Sequence, residues 1–127
     1  MSEATISGLY EAFARGDVPA IIGALDENID FRSPENLPHG GHFQGRDGVG
    51  RFFAGIGEHW EGLTVEVDGM FSGGDRVVVL TKANGRLRSG EDASYTAVHV
   101  WTVRDDTPVA FAETVDAPLS LPTMATA

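Results

Sequence analysis

Apolar residues recur along this chain at two different periods, and the change from one to the other divides it into halves. Near the N-terminus Ile6, Leu9, Tyr10 and Phe13 fall at spacings of three and four, the stripe of a helix that Ser2 or Thr5 can start and Gly16 stops. Asp17 is then placed to cap a second, short helix carrying Val18, Ile21, Ile22 and Leu25. Pro19 is tolerated there because a first-turn N–H has no helical partner to lose. A third helix is expected from about Asp47, with the aspartate as its cap and Val49, Phe52, Phe53, Ile56 and Trp60 on one face.

Elsewhere the period is two. Ile29, Phe31 and Ser33 alternate with Asp30 and Arg32 until Pro34 ends the strand, and Glu35 to Gly45, with Pro38, Gly40, Gly41, His39 and His42, reads as a sharply bending loop. Strands are expected from Leu63 to Phe71 and from Arg76 to Arg88, the latter opening on the apolar run VVVL. In the last run Tyr95, Ala97, His99, Trp101 and Val103 share one side. After a turn near Asp105 to Pro108, Val109, Phe111, Glu113 and Val115 share one side of the next strand. A three-residue loop of Asp105 to Thr107 sets His99 opposite Glu113, whereas a two-residue turn shifts the register by one and sends Glu113 to the other face. Helices first and an antiparallel meander second is an α+β layer arrangement.

At 127 residues the chain is expected to form one domain over residues 1–117, with a flexible Pro- and Thr-containing tail at 118–127. A net charge of −10 with nine basic residues excludes a phosphate-binding surface, so no nucleic-acid partner is expected. There is no cysteine, and so no disulfide, thiolate metal site or cysteine nucleophile. No apolar run approaches the ~20 residues needed to cross a bilayer, and MSEATISGLY lacks the pattern of a signal peptide, so no membrane partner and a cytoplasmic location are expected.

The element order, together with LYEAFARGD at 9–17, Ser33-Pro34, HGGHFQGRDGVGRFF at 39–53, GDRVVVL at 74–80 and HVWTVRD at 99–105, resembles the nuclear transport factor 2-like superfamily. Within it the chain is most similar to SnoaL-like and ketosteroid-isomerase-related proteins. The resemblance implies a cone-shaped curved antiparallel sheet wrapped around three helices, a pocket for a small apolar molecule, and a homodimer through the outer sheet face. Of the steroid isomerase residues, the first-helix Tyr matches Leu9, with Tyr10 beside it, and the Asp before a Pro at the end of the first strand matches Ser33. Both departures argue against classical steroid isomerisation. In SnoaL-type cyclases a His and an Asp fourteen residues later line the pocket, a spacing that His99 and Glu113 reproduce.

His99 and Glu113 are therefore the expected catalytic pair. An imidazole titrates close to neutral pH, and a neighbouring carboxylate fixes its tautomer. Asp116, at the strand's end, is the competing carboxylate. Tyr10, Phe31, Ser33, His39, Phe53, Trp60, Trp101 and Asp116 are the expected substrate-binding residues, the aromatic ones suiting a ring-containing ligand. His39 and His42, with Glu35 nearby, lack an evident third ligand, so neither a metal nor a cofactor is expected. The expected activity is cofactor-independent acid/base chemistry of isomerase, cyclase, dehydratase or hydrolase type. The alternatives are a non-catalytic binding protein for an apolar metabolite, or a dimerisation module with a vestigial pocket.

Overall fold

The computed structural model describes residues 2–120, and the side chains of residues 2–115. Its elements run α1 (Ser2–Ala14), α2 (Val18–Ala24), β1 (Asp30–Ser33), β2 (Gly41–Gln44), α3 (Gly45–His59), β3 (Trp60–Gly73), β4 (Arg76–Leu87), β5 (Asp92–Arg104) and β6 (Thr107–Ser120). Six strands form one curved sheet in the order β2-β1-β6-β5-β4-β3, and the helices pack on its concave face. All neighbours are antiparallel except β1 and β6, which pair in parallel, so the sheet is mixed.

The helical stripes do what their spacing predicts. Ile6, Leu9 and Ala12 of α1, Ile21 of α2, and Val49 and Phe52 of α3 are buried against Val77, Val79, Trp101, Val103 and Phe111 of the sheet. Each fully buried Ile, Leu or Val contributes roughly 1.5–3 kcal/mol relative to exposure. The Asp17 side chain accepts from the backbone N–H of Ala20 at 3.2 Å, capping α2.

Four local expectations change. The segment read as a loop contains β2, whose Phe43 and His42 pair with Phe31 and Arg32 of β1. Helix α3 begins at Gly45 rather than Asp47, so Asp47 lies in its first turn and does not cap it; Gln44 is the cap residue and makes no side-chain cap bond. Trp60 opens β3 instead of closing α3, its backbone paired with Leu87. Strand β6 runs to Ser120, so it enters the stretch expected as tail, of which residues 121–127 lie outside the described residues.

The hairpin joining β5 and β6 matters most for the site. Asp105 and Asp106 form a two-residue turn with φ of 50° and 62°, the left-handed conformation such turns require. Arg104 pairs with Thr107 and Val103 with Pro108, but the next pair is Thr102 with Ala110. Val109 is thus an extra residue, a β-bulge that shifts the register back by one. His99 consequently does pair with Glu113, through a short turn plus a bulge rather than through a three-residue loop.

Gly40 holds the entry to β2. A Cβ there would lie 1.7 Å from the Pro34 carbonyl oxygen, a backbone atom that cannot step aside. Gly40→Ala is expected to lower stability by about 1–3 kcal/mol, as overpacking does, and to displace the neighbouring His39. Urea unfolding with NMR shifts of the His39 ring checks both effects.

Candidate active site

The concave face encloses a cavity of about 80 Å³ between the helices and strands β3 to β6. Its walls are chiefly apolar, from Leu9, Phe13, Ile21, Phe31, Phe52, Phe53, Ile56, Leu63, Val65, Ala83, Trp101 and Phe111. Tyr10, His39, Thr81, Tyr95, His99 and Glu113 also face it. The space is well below the ~300–1,000 Å³ of ordinary small-molecule sites. Of its lining residues, Phe13, Phe53 and Ile56 are only half-buried. Phe13 of α1 and Phe53 of α3 meet with ring centroids 6.1 Å apart.

Along one wall runs a continuous chain of hydrogen bonds. The Trp101 indole N–H donates to the Tyr10 hydroxyl at 2.9 Å, and the Tyr10 oxygen lies 2.6 Å from His99 Nδ1. His99 Nε2 is 3.0 Å from Glu113 Oε2, and the Ser33 hydroxyl donates to Glu113 Oε1 at 2.7 Å. Proton directions follow from what each group can do. An indole N–H can only donate, so Tyr10 receives it and sends its own single proton to Nδ1. Neutral His99 then carries its proton on Nε2 and donates to the carboxylate.

Sequence alternation supplies this geometry. His99 and Trp101 are two apart on β5 and share the inner face, Glu113 is brought opposite His99 by the bulge, and Ser33 is reached because β1 lies beside β6. Tyr10 stacks on the His99 ring at 5.8 Å and 14°, and Phe111 meets that ring edge-on at 5.0 Å. Burial pushes the Glu113 carboxyl up, but the hydrogen bond and charge of His99, with the Ser33 hydroxyl, outweigh it and hold the group below the ordinary carboxylate value. The Tyr10 hydroxyl is pushed well up by burial, the Trp101 bond pulling it partly back and the Glu113 charge adding to the rise. Tyr10 is thus a proton-bearing donor at neutral pH.

A second polar point is His39, in the segment between β1 and β2. It is buried, and its Nδ1 accepts from the Trp60 indole N–H at 3.1 Å. Desolvation pulls its pKa from the ordinary 6.5 down to about 4, with Glu113 raising it and His59 lowering it by smaller amounts. Neutral His39 therefore carries its proton on Nε2.

Of the residues singled out from sequence, the structure brings His99, Glu113, Tyr10, Phe31, His39, Phe53 and Trp101 to the cavity. Ser33 stands behind Glu113 as its hydrogen-bond partner, and Trp60 stands behind His39; neither lines the space. Asp116 pairs with Thr96 through the backbone of β6, and its side chain lies outside the described residues. His39 and His42 diverge. His42 is exposed and bonds to Asp30 and Gln44, and no cluster of three or more metal-ligating side chains occurs among the described residues. Thr81, Tyr95 and Phe111 line the cavity as well, beyond the residues expected from sequence, each placed by the inward period of β4 to β6.

A family model described as SnoaL-like domain matches residues 6–110. Among solved structures, a nuclear transport factor 2-like protein of unknown function from Burkholderia pseudomallei is 29% identical with a TM-score of 0.84, covering 91% of this chain and 90% of its own. A nuclear transport factor 2-like protein from Burkholderia thailandensis is 25% identical with a TM-score of 0.86, covering 96% and 95%. A protein with a ketosteroid isomerase-like fold from Catenulispora acidiphila, in complex with trimethylamine, shares the fold at 12% identity, with a TM-score of 0.82 and coverage of 98% and 95%. No curated protein matches.

His39 makes stability depend on pH. Its folded pKa is depressed, so below its ordinary pKa the unfolded chain binds the proton the folded chain refuses, and stability falls as pH drops from 6.5 towards 4. The expected loss from this group is about 3 kcal/mol across that window. His39→Gln, which can still accept from Trp60, should remove that part of the slope in urea unfolding measured at a series of pH values.

Proposed function

The chain belongs to the SnoaL-like domain family, and we propose that it is a cofactor-independent acid/base enzyme acting on a small, largely apolar molecule. The observation that carries this reading is the directed chain from Trp101 through Tyr10 and His99 to Glu113, set in an apolar wall. A substrate that displaces the Tyr10 hydroxyl from Nδ1 meets that nitrogen as a free base. A proton taken from bound substrate makes His99 an imidazolium between Tyr10 and the Glu113 carboxylate, where its charge is matched. Returning the proton to a different carbon isomerises the substrate; handing it instead to a departing β-hydroxyl, as the C–O bond breaks, releases water and leaves a double bond. Ser33 keeps Glu113 oriented throughout.

Classical steroid isomerisation is not the reaction favoured. The position before Pro34 carries Ser33, which donates to Glu113 and does not face the cavity. A second reading, a binding protein for the same class of molecule, draws on the fact that every polar atom in the chain of bonds is already satisfied without a ligand.

The protein is also proposed to dimerise through the outer sheet face. Phe71, Val78 and Val100 form one cross-strand row there and Leu80 with Val98 another, and Phe71 and Leu80 are exposed. Charged substitutions such as Leu80→Glu with Val98→Lys are expected to give a monomer at micromolar concentration in sedimentation, with the fold retained.

The catalytic reading predicts that the protein speeds solvent deuterium incorporation next to the carbonyl of small cyclic ketones such as cyclopentanone. His99→Ala should slow that exchange by about 10²–10⁴-fold, the usual contribution of a positioned acid or base, and Glu113→Gln should slow it while leaving ketone affinity near wild type. Proton NMR follows both. Ketone binding with exchange no faster than in buffer would replace the catalytic reading with the binding one.

A further inference from the structure

His39 is a buried polar residue that the proton chain does not use. Its Nδ1 is committed to the Trp60 indole N–H, a group that can only donate, so the mobile proton of the neutral ring is fixed on Nε2. Among the described residues no protein acceptor is found for that Nε2–H, yet no fully buried side-chain polar atom lacks a partner. The two facts agree if Nε2 opens onto the cavity, which His39 lines. The ring is gripped by Phe52, edge-on at 5.4 Å, and by Trp60 at 6.2 Å, so the donor is held in place before any ligand arrives.

We propose that His39 Nε2–H is the hydrogen-bond donor that receives a carbonyl oxygen of the ligand, selecting carbonyl compounds over hydrocarbons of the same shape. This rests on the pocket reading given under Proposed function and adds the substrate class to it. A neutral donor suits the task better than a cation. A charged imidazolium at this depth would be costly, whereas an N–H in a low-dielectric site still favours an oxygen on which negative charge grows. With the depressed pKa of His39, the ring stays neutral throughout the physiological range. His99 would then handle the proton while His39 holds the oxygen, so both ends of an enolisation are served by fixed groups. Trp60 acts through His39 as a positioning residue.

The test compares cyclopentanone with methylenecyclopentane, which differ by an oxygen in place of a CH₂ group. The wild-type protein is expected to prefer the ketone by about tenfold in NMR titrations, the worth of one buried neutral hydrogen bond. Adding ketone should shift the His39 Nε2–H resonance, and adding the alkene should not. His39→Leu should bring ketone affinity down to that of the alkene and leave the alkene unchanged, and His39→Gln should restore part of the preference. Because His39→Leu leaves the Trp60 N–H without an acceptor and can fail to fold, the wild-type nitrogen spectrum stands as an independent readout. Protonation on Nδ1 in the free protein, equal affinity for the two probes, or a preference that survives His39→Leu but is lost in Tyr10→Phe each overturns the proposal. The last outcome leaves the Tyr10–His99 reading intact. Conversely, a His39-dependent preference without deuterium exchange supports this inference and removes only the catalytic one.

Discussion

A carboxylate placed inside an apolar wall must be compensated, and most of the site follows from how Glu113 meets that demand. Its side chain is only 6% exposed, and an unpaired charge at such a depth would protonate or destabilise the fold. Two hydrogen bonds answer it, from Ser33 on β1 and His99 on β5. Supplying the carboxylate commits Nε2 of His99. Nδ1 is then left as an acceptor, which calls in Tyr10 from α1, and Trp101 completes the sequence. Four separate elements are thereby held in mutual orientation by the needs of one buried charge.

The backbone makes that charge possible through a device of one residue. Without Val109 as an extra residue, the two-residue turn at Asp105 and Asp106 would send Glu113 to the outer face, where it would be solvated and inert. The bulge lies where β6 leaves the hairpin, beside the point at which the Pro108 carbonyl accepts from the Asp26 N–H. Proline has no N–H to contribute to a ladder and is at home beside such an irregularity.

Much of the fold could be read from the sequence, because its helical and strand periods are long and uninterrupted. The stripe Ile6, Leu9, Tyr10, Phe13 and the alternation from Tyr95 to Val103 both survive in the structure. What could not be read depended on partners distant in sequence. β2 is a short glycine-bearing strand that exists because β1 is beside it, and nothing local marks it. Trp60 continues the α3 stripe in sequence but starts β3, where Gly85 leaves room for its ring: a Cβ at Gly85 would come within 2.8 Å of the indole. Register counting left two turns open, the three-residue one pairing His99 with Glu113; the chain makes the two-residue turn, and the bulge at Val109 restores that pairing. Leu9 matches the tyrosine of the steroid isomerases in position, yet Tyr10 supplies the hydroxyl that reaches His99, the next residue on a helix pointing about 100° away.

Phe13 and Phe53 give the cavity a property that its hydrogen bonds do not. They belong to different helices and touch across the half-buried side of the space. Both rings line the cavity, so its volume depends on the spacing of α1 and α3 as well as on the curvature of the sheet.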